Sequence, residues 1–198
     1  MKQKHRIMSA VFTGSVMLGL IPATAEAHPI KGVGDFYAGM LHPILTIEQL
    51  LPLIALSLLA GQQKRESAID VLIAFPLALA AGACIGLYHG TASFADLLDV
   101  AAMVGLGGLV AAAWRGPRAV PLALALVLGL NLGWVNGGEV GPSIAAYRFI
   151  AGLMLAGLLL TAYGIGLVRG LKAGWTQIAI RAVGSWIAAI GVMVLAVK

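Results

Sequence analysis

Six apolar stretches, each close to the ~20 residues a helix needs to cross hydrocarbon, dominate this chain: residues 41–60, 68–88, 97–114, 119–135, 144–168 and 178–197. In lipid every backbone N–H and C=O must find its partner within the protein. A helix satisfies that demand inside one segment, so the pattern predicts an all-α, polytopic membrane bundle of six transmembrane helices. With 60% hydrophobic and only 11% charged residues, the chain is too apolar for an ordinary soluble domain. Connections are short, so consecutive helices are expected to lie antiparallel and side by side. No linker or charge block marks a second domain.

A leader precedes these stretches. Lys2, Lys4 and Arg6 form a basic start, residues 7–21 an apolar middle, and Ala25-Glu26-Ala27 a small-x-small cleavage site. This reads as a signal peptide over 1–27 followed by a six-span domain over 28–198, with an uncleaved anchor as the competing reading. Cleavage would expose His28, next to Pro29. With that end outside, alternation puts Lys64, Arg65, Arg115, Arg118, Arg169, Lys172 and Arg181 on the cytoplasmic side. The exterior then keeps only Lys31, Arg148 and Lys198, the expected positive-inside bias. The expected location is a bacterial inner (cytoplasmic) membrane, mature N-terminus periplasmic. The pI of 9.7 does not point to nucleic acid, because the basic residues are dispersed in short loops and form no stripe. Cys84, the single cysteine, allows neither an intrachain disulfide nor a thiolate cluster. An inert packing role is expected for it.

Function is sought where polar groups interrupt the apolar runs. Stretch 41–60 carries His42-Pro43, Glu48-Gln49 and Pro52. Ionisable groups in a spanning helix are costly and usually face a bundle interior or polar cavity. On one straight helix His42, Thr46 and Gln49 share a stripe, with Glu48 about 120° away from His42. Pro52 lacks an N–H, which removes the normal helical partner of the Glu48 carbonyl and leaves that oxygen to be satisfied by a neighbour, water or a ligand. Pro43 is expected at the first turn, where a missing donor costs little. Imidazole and carboxylate together suit borderline divalent metals, so His42 and Glu48 are candidate ligands and Gln49 a weaker one. Gln49 alone is better read as a buried group tying helices together. His89, at the outer end of the second stretch, is either a helix-end residue or a further ligand. His28 is another candidate, through its amine and ring. Glu139 is either a ligand or the ion-pair partner of Arg148. Asp35, Asp96 and Asp99 would line an outer vestibule that attracts cations, or are simply solvated acids.

The leader, the mature start at His28, the six spans and the His42-Pro43 segment together resemble the HupE/UreJ family of hydrogenase and urease accessory membrane proteins. The family element His-Pro-x-x-Gly-x-Asp-His is here His42-Pro43-Ile44-Leu45-Thr46-Ile47-Glu48-Gln49. His42 and Pro43 match, Glu48 replaces Asp conservatively, and Thr46 and Gln49 depart. A second, His-rich Gly-x-Glu element survives as Gly137-Gly138-Glu139, with Leu132 and Asn136 where imidazoles would stand. The resemblance implies a nickel permease or nickel-delivery protein, with metal as cargo and no permanently bound cofactor. It also implies metalloenzyme maturation partners, alongside the lipid bilayer and further copies of the chain.

Two function classes follow: a permease for a divalent transition metal, and a non-transporting membrane subunit that assembles a larger complex. Glycine-rich helix faces favour the second. An enzyme is not expected, because Ser57, Ser93, Ser143 and Ser185 have no partner spacing that would activate a hydroxyl.

Overall fold

Seven α-helices and no strands make up the residues described by a computed structural model, 34–91, 94–141, 144–171 and 173–197. They are α1 Asp35–Leu45, α2 Ile47–Gln62, α3 Arg65–His89, α4 Ala95–Ala111, α5 Ala119–Gly138, α6 Ala146–Gly170 and α7 Gly174–Val197. The expected signal peptide, His28, Lys31, Ser93, Ser143, Lys172 and Lys198 lie outside the described residues. Helices α3, α5, α6 and α7 are long and apolar enough to cross a membrane, and α1 with α2 makes a fifth, broken candidate. At 17 residues α4 is shorter. The composition and these helices make this a membrane protein.

The first apolar stretch is not one helix. Helix formation begins at Asp35 and stops at Thr46, whose backbone is extended (φ −96°, ψ 104°). There α1 and α2 meet at 78°. Pro43 therefore falls in the last turn of α1, not in a first turn, and Pro52 sits inside α2 without ending it. The break falls among Ile44, Thr46 and Ile47, which are β-branched and lose side-chain freedom in a helix. The backbone is still satisfied. Thr46 N–H donates to the His42 carbonyl (3.3 Å), while the Thr46 carbonyl accepts from Gln49 and Leu50 (3.0 and 2.9 Å).

Neighbours in sequence are not the main neighbours in space, contrary to the expectation from loop length. The extensive contacts join α3 with α5, α4 with α7, and α6 with both halves of the broken helix. Glycine explains this. A Cβ on Gly133 of α5 would fall 2.1 Å from the Leu79 carbonyl oxygen of α3, and one on Gly86 would fall 2.2 Å from that of Trp134. Gly39 of α1 and Gly152 of α6 meet the Phe149 and Phe36 carbonyls at 2.0 and 1.9 Å in the same sense. Small residues four apart let helix backbones touch, and in lipid such contact carries much of helix association. Gly105, Gly108, Gly166 and Gly170 face open space instead.

Helix α2 occupies the centre, against α4 and α6 and, at lesser contacts, α5 and α7. Leu53, Ala55, Leu56, Leu59 and Ala60 are wholly buried. Cys84 is exposed on α3, a correction to the packing role expected of it. Ser57 and Ser185 donate to the backbone carbonyls of Ile54 (2.8 Å) and Arg181 (3.2 Å).

At the end of α4, Trp114 N–H reaches the Leu109 carbonyl (3.0 Å) and Ala113 N–H that of Val110 (2.9 Å). This double closure needs a left-handed residue, here Ala113 at φ 50°. Ala113→Gly is expected to raise stability by about 1 kcal/mol, the usual cost of a side chain there, as a higher melting temperature in detergent. Gly133→Val is expected to lower it by about 1–3 kcal/mol or to prevent folding, since backbone cannot yield cheaply. Gly166→Ala should leave the same melting curve in place.

Candidate functional site

Polar side chains gather at the end of the bundle where α3 and α5 finish and α1, α4 and α6 begin. The break at Thr46 turns α2 inward, carrying Gln49 into the core at 3% exposure. Its Oε1 accepts a hydrogen bond (2.8 Å) from Nδ2 of Asn136, in the last turn of α5. The same nitrogen donates to the Leu132 carbonyl (2.6 Å). Asn136 is fully buried, and its Oδ1 has no partner among the described residues. A buried acceptor left so costs about 1–3 kcal/mol unless water or a ligand fills the role.

Three residues past Asn136, the Glu139 carboxylate (Oε2) lies 3.1 Å from His42 Nε2. The His42 side chain is 14% exposed and that of Glu139 44%, so the contact opens outward. The Phe149 ring flanks the imidazole edge-on, centroids 6.1 Å apart. Asp35, opening α1, accepts the Ala145 N–H (3.1 Å). That places a carboxylate at the start of α6, where unpaired amides favour negative charge. A second buried cluster joins α4 to α5: Asn131 Nδ2 donates to Asp99 (2.7 Å) and to the Ala95 carbonyl (3.1 Å).

The site expected from sequence is thus redrawn. His42 and Glu139 come together. Glu48 is half-buried in the first turn of α2. The stripe of His42, Thr46 and Gln49 does not exist, because the helix breaks at its middle residue. His89 is exposed in the last turn of α3. Arg148 does not pair with Glu139 but donates to the Tyr147 hydroxyl (3.0 Å) and stacks over that ring. Asp99, expected in a vestibule, is 3% exposed. His28 lies outside the described residues. Among the described residues, no group of three His, Cys, Asp or Glu side chains is arranged to hold a metal. Asn131 is not among the residues nominated from sequence, and Asn136 enters there only as a departure from the family pattern. The cost of polar groups in an apolar run, which singled out Glu48, applies to both.

A family profile described as HupE / UreJ protein matches residues 16–194. The chain belongs to the HupE/UreJ family. Protein HupE of Rhizobium leguminosarum bv. viciae is similar to it, 27% identical over 177 residues, 88% of this chain and 92% of that protein. No solved structure matches. Both segments behind the HupE/UreJ resemblance converge at this site: His42 meets Glu139, and Gln49 meets Asn136. Two of the four departures from the family pattern, Gln49 and Asn136, are therefore hydrogen-bonded to one another.

Removing half of that amide pair should be worse than removing all of it. Asn136→Leu is expected to destabilise by about 1–3 kcal/mol, because Gln49 Oε1 loses its donor. Adding Gln49→Leu should recover part of the loss, as read by thermal unfolding in detergent.

Proposed function

We propose that this chain is a permease or delivery protein for a divalent transition metal, nickel first, crossing a bacterial inner membrane six times with its mature N-terminus periplasmic. One observation carries the proposal: the 3.1 Å contact of His42 with Glu139, which unites two distant segments in a nitrogen-and-carboxylate pair open to one side. Such donors suit nickel or zinc. A discontinuous helix beside them supports the same reading, since broken helices within membranes commonly line substrate sites. In this reading α1 and α2 form one crossing, and α4 crosses with help from its flanking residues.

The ion arrives past exposed Asp96, Glu139 and His89, with His28 at the cleaved end of the chain. It is taken by His42 and Glu139 and passes Glu48, with the Gln49 and Asn136 amides as neutral oxygen donors. One imidazole and one carboxylate make a loose site rather than a cage. Conduction needs binding strong enough to admit the ion and weak enough to release it. No nucleotide-binding loop occurs in the sequence, so ATP hydrolysis within this chain is not the drive.

The test is nickel accumulation in cells expressing the wild type, His42→Ala or Glu139→Ala at matched membrane levels. Each variant is expected to lose roughly tenfold or more, the effect of about 1.4 kcal/mol of lost binding. Unchanged accumulation in both would overturn the permease reading and favour the non-transporting assembly role.

A further inference from the structure

We propose that the opposite, basic end of the bundle binds the headgroup of an anionic phospholipid. A cavity of about 680 Å³ lies there, lined by residues from the ends of α2 and α6, the α4–α5 connection and α7. That size falls in the range of small-molecule sites. Lys64, Arg115 and Arg169 supply cations to its lining, and Val168, Leu171 and Ile180 supply apolar surface.

Two of the three lining cations, Lys64 and Arg115, have no internal duty among the described residues. The carbonyls at the end of α4, which would otherwise attract them, have other donors: Gln62 bonds that of Val110 (3.2 Å), Arg181 that of Ala111 (2.8 Å) and Gln63 that of Trp114 (2.8 Å). Asp70 is held by Arg118 through two contacts. Arg169 uses one terminal nitrogen on the Gln63 carbonyl (2.9 Å). Lys64 and Arg115 are exposed, and neither forms an ion pair among the described residues. The carboxylate nearest in sequence, Glu66, lines a smaller neighbouring cavity with Lys64, Ser67 and Arg118 rather than the large one.

Unpaired cations beside an apolar wall, where spanning helices end, match a lipid in particular. A phosphodiester accepts charge-assisted hydrogen bonds from Lys and Arg, and basic pockets between helices at this level are suited to anionic headgroups. The glycerol and first acyl carbons would lie on Val168, Leu171 and Ile180. Free phosphate satisfies only the charges. The pocket joins the ends of α2 and α6, the α4–α5 connection and α7, so an occupant fastens these elements to one another.

Binding of phosphatidylglycerol and phosphatidylcholine to the purified full chain in neutral detergent tests this, with inorganic phosphate as a separate arm. The wild type is expected to bind phosphatidylglycerol saturably and phosphatidylcholine weakly. Lys64→Gln with Arg115→Gln should weaken the former roughly 25-fold, about fivefold per cation. Arg115→Gln alone should give the single step, which keeps the test readable should the double variant fold poorly. Arg148→Gln, at the other end, should leave the affinity in place. Equal affinity for the two lipids, or wild-type affinity in the Lys64 and Arg115 variants, would overturn the site. Competition by millimolar phosphate with full effect would overturn the lipid as its occupant.

Discussion

Direct backbone contact between helices, possible only where a Cβ is missing, decides how this bundle is assembled. Lipid tails are as apolar as leucine, so burying leucine against leucine in a membrane yields little. Gly133 against the Leu79 carbonyl, and Gly39 and Gly152 against Phe149 and Phe36, allow an approach that larger residues forbid. Once α3 is committed to α5, α4 to α7, and α6 to α1, the central space falls to α2. A polar group buried on a helix enclosed in this way has little access to water and depends on protein partners. Gln49 is met by Asn136. The polar end of the molecule is therefore a consequence of the glycine seams as much as of its own residues.

The two ends are chemically opposed. Asp35, Asp96, Asp99, Glu139, His42 and His89 belong to the end where α1 begins, with Arg148 the cation among them, while Lys64, Arg65, Arg115, Arg118 and Arg169 belong to the other, with the acids Glu66 and Asp70. Acids and imidazoles at one end draw divalent cations. Arginine and glutamine at the other complete the exposed carbonyls of helix C-termini, as Arg181 does for Ala111. Under the proposed function, this asymmetry is what would give a cation a face at which to arrive.

Helix class and the bounds of α3, α5, α6 and α7 were legible in the sequence, because length and hydropathy suffice for a segment whose partner is lipid. The break at Thr46 was not. Pro52 is the louder local signal, yet it lies near the start of α2, where the loss of one hydrogen bond is tolerated, while the bend falls at a β-branched run of modest appearance. Helix pairing was half legible. The four-residue spacing of Gly129, Gly133 and Gly137 is plain to read, but which stripe it meets is a non-local matter that loop length misjudged. His42 and Glu139 could be nominated by residue type and motif. Their meeting, and that of Gln49 with Asn136, depends on the inward turn of α2 and on where α5 ends, neither of which is a local property.

The proposed function requires His42 and Glu139 to act as one site. The most direct measurement is nickel influx into liposomes carrying the purified protein, with each residue replaced by alanine singly and both together. Residues that share a ligand are non-additive, so the double variant should be no slower than the slower single one. Losses that multiply, or influx that neither replacement alters, would contradict it.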